Sequence, residues 1–163
     1  MSDASTTFRR LHDGPGVLLL PNAWDVGSAL AFVAAGFPAV GTTSFGVGAS
    51  GGHPDGRGAS RDATADLVAR LRRLPVPLSV DVEDGYSSDP GDVAAFVASL
   101  GVAGVNLEDS ADGALVDPGV LAAKVAAAVG LRDGEPPVPA TPYPVAQARL
   151  AAFEDGTLGG EEG

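Results

Sequence analysis

The chain of 163 residues carries 10 basic and 21 acidic side chains, a net charge of −11, and contains no cysteine. This length fits one soluble domain, and the lack of cysteine excludes a disulfide scaffold, a thiolate metal site and a thiol nucleophile. The acidic balance argues against nucleic acid or an anionic membrane as partner, so a small molecule is the expected ligand. The sequence lacks both the apolar run of roughly 20 residues that spans a bilayer and a secretory signal, which predicts a cytoplasmic protein.

Four successive strand and helix units are predicted between residues 16 and 130, where short aliphatic runs alternate with Ala-rich stretches. That alternation is typical of an α/β fold with a parallel sheet. The predicted strands are 16–21, 38–43, 77–83 and 103–108, and the predicted helices are 25–35, 60–74, 91–100 and 118–129.

Two segments depart from this pattern. The glycine-rich stretch 44–60 is longer than most connections between a strand and a helix, which favours a lid or a binding loop. Residues 131–163 hold five prolines and an acidic, glycine-rich end. We expect this stretch to form a loosely ordered tail, so that the chain divides into a domain over 1–130 and a tail over 131–163.

Three acidic side chains lie at the carboxyl ends of the third and fourth predicted strands. Alternation along the strand places Asp81 and Glu83 on one face, and Glu108 holds the equivalent place on the next strand. Ligand sites of parallel α/β folds lie at this edge, so the three carboxylates are expected to converge. Such carboxylates repel one another unless a cation lies among them, and oxygen ligands suit Mg²⁺ or Mn²⁺. The alternative is that these acids only cap the helices that follow.

The glycine-rich stretch offers a second candidate site. Ser44 and the backbone amides of 45–47 could hold an oxyanion. Asp55 lies in the run Gly-His-Pro-Asp-Gly, which is equally typical of an ordinary turn.

Other polar side chains have simpler interpretations. His12 and His53 are predicted to be solvated, and nothing pairs them as metal ligands. Asp25 is favoured as the cap of the first predicted helix, while Trp24 could line a pocket or pack on that helix. Lys124 is the only lysine, and its place in the middle of a helix argues against a Schiff base.

At these residues the chain resembles the isocitrate lyase and phosphoenolpyruvate mutase superfamily, particularly its phosphonomutase-like members. The matching stretches occur in the family's order over about residues 16–130, and they read PNAWDVGSALAFVAAGFPAVGTTSFGVGASGGHPDG, PLSVDVEDGY and GVAGVNLEDS. The resemblance implies a (β/α)8 TIM barrel and a lyase or isomerase. Such an enzyme makes or breaks C–C or P–C bonds in small 2-oxo acids or related carboxylates with Mg²⁺.

The resemblance also implies roles for single residues. Asp81 would bind the metal, with Glu83 and Glu108 acting on it mainly through bound waters. The positions that match the family's substrate-binding residues are Ser44, Phe45 and Gly46, and the acid of its mobile loop is matched by Asp55.

The chain departs from the family pattern in two places. Isocitrate and methylisocitrate lyases carry a catalytic cysteine after the fourth strand, where this chain reads DSADGALVDPG, so those activities are disfavoured. The family's Asn-Ala-Arg-Thr motif on the fifth strand has no counterpart, because the stretch reads GEPPVPATPYPVAQARL. Arg149 therefore receives no role.

The length predicts only about the first half of a barrel, because a complete one needs roughly 200 residues or more. Four strands from a closed barrel leave two unpaired edges, which favours a homo-oligomer or association with a partner chain. An alternative function is therefore a noncatalytic remnant or subunit fragment that binds metal or a partner. A receiver-type domain is disfavoured, because the acids follow strands three and four and no suitably placed lysine follows a fifth strand.

Overall fold

The computed structural model describes residues 3–53, 60–111 and 114–130. Within these ranges the strands are β1 (Asn22–Ala23), β2 (Val40–Thr42), β3 (Leu78–Asp81), β4 (Gly104–Asn106), β5 (Ser110–Ala111) and β6 (Ala114–Leu115). The helices are α1 (Asp3–His12), α2 (Val26–Ala34), α3 (Ser44–Ser50), α4 (Arg61–Leu71), α5 (Pro90–Leu100) and α6 (Pro118–Gly130). The predicted tail over 131–163 lies outside the described residues.

The four strands β1 to β4 form one parallel sheet in chain order, and β5 pairs with β6 as a short antiparallel hairpin. In the register of the sheet, Val40 lies beside Leu78 and Asp81 lies beside Asn106. The predicted α/β class with a parallel sheet is confirmed. The third and fourth strands are neighbours, as the prediction of a shared site requires.

The hydrophobic core lies between the sheet and the helices that follow its strands. Val40, Val80 and Val82 are fully buried there. They belong to one cluster with side chains of α4 and α5, including Leu67 and Phe96. Along β3 the apolar residues are buried and the polar residues are only half-buried. One face of the strand therefore packs on helices, and the other carries the polar side chains.

Helix α1 was not among the predicted elements. Its Phe8 packs closely against Gly104, where a Cβ atom would lie 2.6 Å from the aromatic ring and 3.4 Å from the Ser79 hydroxyl. Because Ser79 belongs to the half-buried face of β3, this helix covers part of that polar face near the amino ends of the strands.

Several predicted bounds are wrong. The first strand is not 16–21, because pairing with β2 covers only Asn22–Ala23. The remaining strands are shorter than predicted, and β3 ends at Asp81 rather than Glu83. The stretch 44–60 is not one long loop, because Ser44–Ser50 is helical with Thr43 as its N-cap.

The predicted helices are present with small shifts of their ends. Asp25 caps α2 as predicted, since its side chain accepts a hydrogen bond from the Ser28 amide at 2.6 Å. Pro90 begins α5, and its cap Asp89 accepts from the amides of Gly91 and Asp92. In the described parts of the chain no helix has the length and apolarity needed to cross a membrane.

Candidate functional site

Asp81 is the last residue of β3, and its carboxylate is tied to the neighbouring unit of the fold. One carboxylate oxygen, Oδ2, accepts hydrogen bonds from the Ser44 amide at 2.9 Å and from the Ser44 hydroxyl at 2.8 Å. The Asp81 amide donates to the Thr42 hydroxyl at 3.0 Å. The junction of β2 and α3 therefore fixes both the backbone and the side chain of Asp81, which remains only half-buried.

Glu83 lies just beyond the strand, in a sharp turn. Its φ of 50° is in the left-handed region, and the residue is 7% exposed. The carboxylate oxygen Oε1 accepts a short hydrogen bond from the Ser60 hydroxyl. The Glu83 amide donates to Oδ1 of Asp81 at 3.2 Å. Glu83 is thus held against the start of α4, and its backbone is held against Asp81.

Tyr86 completes the network around Glu83. Its hydroxyl lies 3.1 Å from the Ser60 hydroxyl and 3.5 Å from that of Thr64. Burial raises the pKa of Tyr86, and the nearby Glu83 carboxylate acts in the same direction. The phenol therefore stays protonated near neutral pH and can serve as a hydrogen-bond donor beside the buried carboxylate.

Glu108 follows β4 and approaches the same turn through its backbone. The Glu108 amide donates to the carbonyl oxygen of Glu83 at 2.7 Å. Its carboxylate oxygen Oε2 accepts from the Ser110 hydroxyl at 3.1 Å, at the start of the β5–β6 hairpin. Glu83 therefore links the three predicted metal-site acids, because its amide binds the Asp81 carboxylate and its carbonyl oxygen binds the Glu108 amide.

The three carboxylates do not form a ready cluster of direct ligands. Over the described ranges, no group of three or more acidic, histidine or cysteine side chains is close enough to hold a metal ion. Asp81 nevertheless offers a half-buried carboxylate at the carboxyl edge of the sheet. Oxygen donors of this kind suit a hard divalent cation. The arrangement fits a cation with one direct carboxylate ligand, and the metal roles of Asp81, Glu83 and Glu108 remain predictions.

The predicted substrate-binding positions lie at the start of α3. The Ser44 amide and hydroxyl already bind Asp81. The Gly46 amide donates to the Thr43 hydroxyl at 3.4 Å, and the Phe45 side chain is 63% exposed. An oxyanion would have to share or replace these internal partners. Asp55 lies outside the described residues, and all four substrate and loop roles remain predictions.

Sequence reasoning missed one buried group near this site. Lys124 lies in α6 and is only 3% exposed. Its ammonium donates to the Asp84 carbonyl oxygen at 2.7 Å and lies 3.3 Å from Oδ2 of Asp84. The signal was available, because Lys124 is the single charged residue of an otherwise apolar, alanine-rich helix.

Comparison with known proteins gives a consistent assignment. The sequence pattern of the phosphoenolpyruvate phosphomutase family matches residues 8–138. An uncharacterized protein of Mycobacterium tuberculosis is 54% identical over 121 residues, which cover 74% of this chain and 47% of that protein. The chain therefore spans about half the length of the curated relatives it matches.

Solved structures of similar fold come from the same superfamily. A protein of Burkholderia cenocepacia assigned as a phosphonomutase is 38% identical, with a TM-score of 0.72, and the match covers 78% of this chain and 54% of that one. A 2,3-dimethylmalate lyase of the phosphoenolpyruvate mutase and isocitrate lyase superfamily is 26% identical, with a TM-score of 0.71 and coverages of 81% and 49%. The parallel sheet described above thus corresponds to about half of a TIM-barrel-type protein.

Proposed function

This chain belongs to the phosphoenolpyruvate phosphomutase family, and we propose that it acts as a cytoplasmic, Mg²⁺-dependent lyase or mutase. Asp81, Glu83 and Glu108 would supply the acidic side chains of its active site. The substrate class is small 2-oxo acids or related carboxylates and phosphonates, and the reaction makes or breaks a C–C or P–C bond. The observation that carries the proposal is the Asp81 carboxylate, held by Ser44 at the carboxyl edge of the parallel sheet.

Asp81 would hold the cation directly, and Glu83 and Glu108 would act on it through water. A bound Mg²⁺ ion, with Mn²⁺ as a substitute, supplies Lewis-acid polarisation of a substrate carbonyl oxygen. Support comes from the donor chemistry, since the candidate set consists of carboxylates at or just beyond the ends of the neighbouring strands β3 and β4, and the chain has no cysteine.

The chain's own residues would orient and enclose the substrate. The two hydrogen bonds from Ser44 restrict the Asp81 carboxylate to one orientation, so that its remaining lone pairs face a fixed direction. The exposed ring of Phe45, one residue later, is suited to cover the apolar part of a small acid and to exclude water from it. Ser44, Phe45 and Gly46 would together define where the substrate carboxylate or phosphonate lies, and Asp55 would be a catalytic acid.

Metal-dependent thermal stability tests the central part of the proposal. A ligand that binds only the folded state stabilises it by mass action, by about 2.7 kcal/mol at a concentration of 100 times its dissociation constant. We expect Mn²⁺ or Mg²⁺ to raise the melting temperature of the wild-type protein. The rise should disappear in Asp81→Asn, which keeps the size of the side chain but removes its charge.

Asp66→Asn is the matched control, because Asp66 is an exposed acid on α4 and should leave the metal effect intact. A folded wild-type protein with no metal-dependent shift, or an equal shift in Asp81→Asn, would refute the proposed site. Turnover of oxaloacetate or phosphonopyruvate then tests the reaction. A metal shift without any turnover would support the alternative of a noncatalytic metal-binding fragment.

A further inference from the structure

The turn that follows β3 adopts an unfavourable backbone conformation. Glu83 and Tyr86 have φ values of 50° and 61°, and Gly85 between them has a φ of 92°. Non-glycine residues avoid this left-handed region, and two such residues persist only where their surroundings fix them. Contacts outside the turn must therefore hold it, and the bonds of Glu83 to Ser60 and Glu108 are two of them.

Lys124 is placed to supply a further contact of this kind. Its side chain leaves α6 and reaches the turn from 40 residues further along the chain, with the Asp84 carbonyl as its closest partner at 2.7 Å. The same residue offers its carboxylate oxygen Oδ2 at 3.3 Å. A buried ammonium needs such partners, because a charge without them is costly to remove from water. The burial of Lys124 and the conformation of the turn are therefore mutually dependent.

The Asp84 side chain passes this restraint to the rest of the turn. While Oδ2 lies near the ammonium, Oδ1 accepts from the Tyr86 amide at 2.9 Å. Glu83 precedes Asp84 in the chain. Its amide donates to the Asp81 carboxylate, and its carbonyl oxygen accepts from the Glu108 amide. Lys124 thus restrains Asp84, which is bonded to Tyr86 through its side chain and follows Glu83 in the chain.

We propose that Lys124 is a positioning residue of the acidic site: through Asp84 it holds the turn 82–86 in the conformation that sets Glu83 between Asp81 and Glu108. Lys124 does not contact substrate or metal in this role. Its functional consequence rests on the proposed metal site, whereas its effect on the turn does not.

Lys124→Met tests this role, because the methionine side chain is similar in length to that of lysine but has neither the positive charge nor the hydrogen-bond donor. We expect the circular dichroism spectrum to persist, and the amides of Glu83, Gly85, Tyr86 and Glu108 to exchange with solvent faster than in the wild-type protein. We also expect the Mn²⁺ dissociation constant, measured by calorimetry, to rise by about 10- to 100-fold, as for other residues that orient metal ligands. Lys124→Arg keeps a cationic donor and should recover part of both effects.

Arg72→Met is the matched control. Arg72 is also a cation near a backbone carbonyl, that of Ser99 at 3.5 Å, but it is exposed and belongs to neither the turn nor its partners. Its variant should change neither the exchange of the turn amides nor the affinity for Mn²⁺.

If Lys124→Met fails to fold, Asp84→Asn tests the same link from the other side. It removes the charge that faces the ammonium at 3.3 Å and keeps the carbonyl contact at 2.7 Å, so exchange of the turn amides should become faster, but by less than in Lys124→Met. Unchanged exchange of the turn amides in the folded variants would overturn the positioning role. A wild-type protein that binds no Mn²⁺ would instead refute the proposed function, and amide exchange would still decide whether Lys124 holds the turn.

Discussion

Substitution of Gly85 by alanine should be among the most damaging single-atom additions in the turn between β3 and α5. Gly85 is buried and has a φ of 92°. A Cβ atom there would lie 2.7 Å from Cγ1 and 2.8 Å from Cγ2 of Val93, and 3.2 Å from Cδ1 of Leu107. Val93 is fully buried in α5. Neither of its methyl groups can move aside without displacing its neighbours in the core.

The magnitude has two parts. The left-handed conformation costs an alanine about 1–2 kcal/mol relative to glycine. The overlap with Val93 adds a penalty typical of overpacked cores, about 1–3 kcal/mol. We therefore expect Gly85→Ala to lower the free energy of unfolding by about 3 kcal/mol. In a chain of this size, that corresponds to a fall in melting temperature of about 6–12 °C.

Urea denaturation at constant m-value measures the loss, and two comparisons separate its parts. Gly101→Ala carries the conformational cost alone, because Gly101 has a φ of 62° and no atom within 4 Å of an added Cβ. Val93→Ala removes the overlapping methyl groups. In that background the cost of Gly85→Ala should fall to about that of Gly101→Ala. Equal costs of Gly85→Ala in the wild-type and Val93→Ala backgrounds would refute the steric argument.

The helix caps give two further predictions. Asp89→Ala should lower the free energy of unfolding by about 1 kcal/mol in urea denaturation, because the amides of Gly91 and Asp92 lose their acceptor. Asp89→Asn, which keeps a side-chain acceptor, should lose much less of the free energy of unfolding, and equal losses in both variants would contradict the capping role. The hydrogen bond from the Ser28 amide holds the pKa of Asp25 below its ordinary value. Ionised Asp25 therefore stabilises the fold, fully so above about pH 3.9. This stabilisation is lost as the pH falls through the lower pKa of the folded state. Relative to Asp25→Asn, the wild-type protein should therefore lose stability below about pH 4, and a difference that stays constant down to pH 2.5 would contradict this.

The sequence predicts the order of the fold well, because burial follows the repeat of each element. Apolar residues at every second position of β3 lie against the helices, and the capping residues Asp25 and Asp89 occur where helices begin. These signals are local, so a single sequence contains them. The neighbouring placement of β3 and β4 also follows from a general rule, since successive strands of such folds pair in order.

The first strand and helix α3 could not be located in this way. The apolar run 16–21 suggests a strand, yet Val17 is 89% exposed and pairing is limited to the next two residues, Asn22 and Ala23. Hydrophobicity indicates what a segment prefers to bury, but the partner strand decides which residues pair. Helix α3 contains two glycines and is a poor helix by propensity. Besides its local cap Thr43, the helix is held by tertiary contacts, the bonds from Ser44 to Asp81.

The difference between local signals and distant contacts also explains why Glu83 does not continue the strand face of Asp81 as predicted. A period of two assigns Glu83 to the face of Asp81 only while the strand continues, and β3 ends at Asp81. Beyond that point the positive φ of Glu83 redirects the chain, and the carboxylate meets the Ser60 hydroxyl. The groups that bind this turn are distant in sequence: Ser60 and Glu108 bind Glu83, and Lys124 binds Asp84, a contact that no local pattern encodes. If that contact holds the turn, loss of the lysine should disturb Glu83 although the sequence of β3 is unchanged.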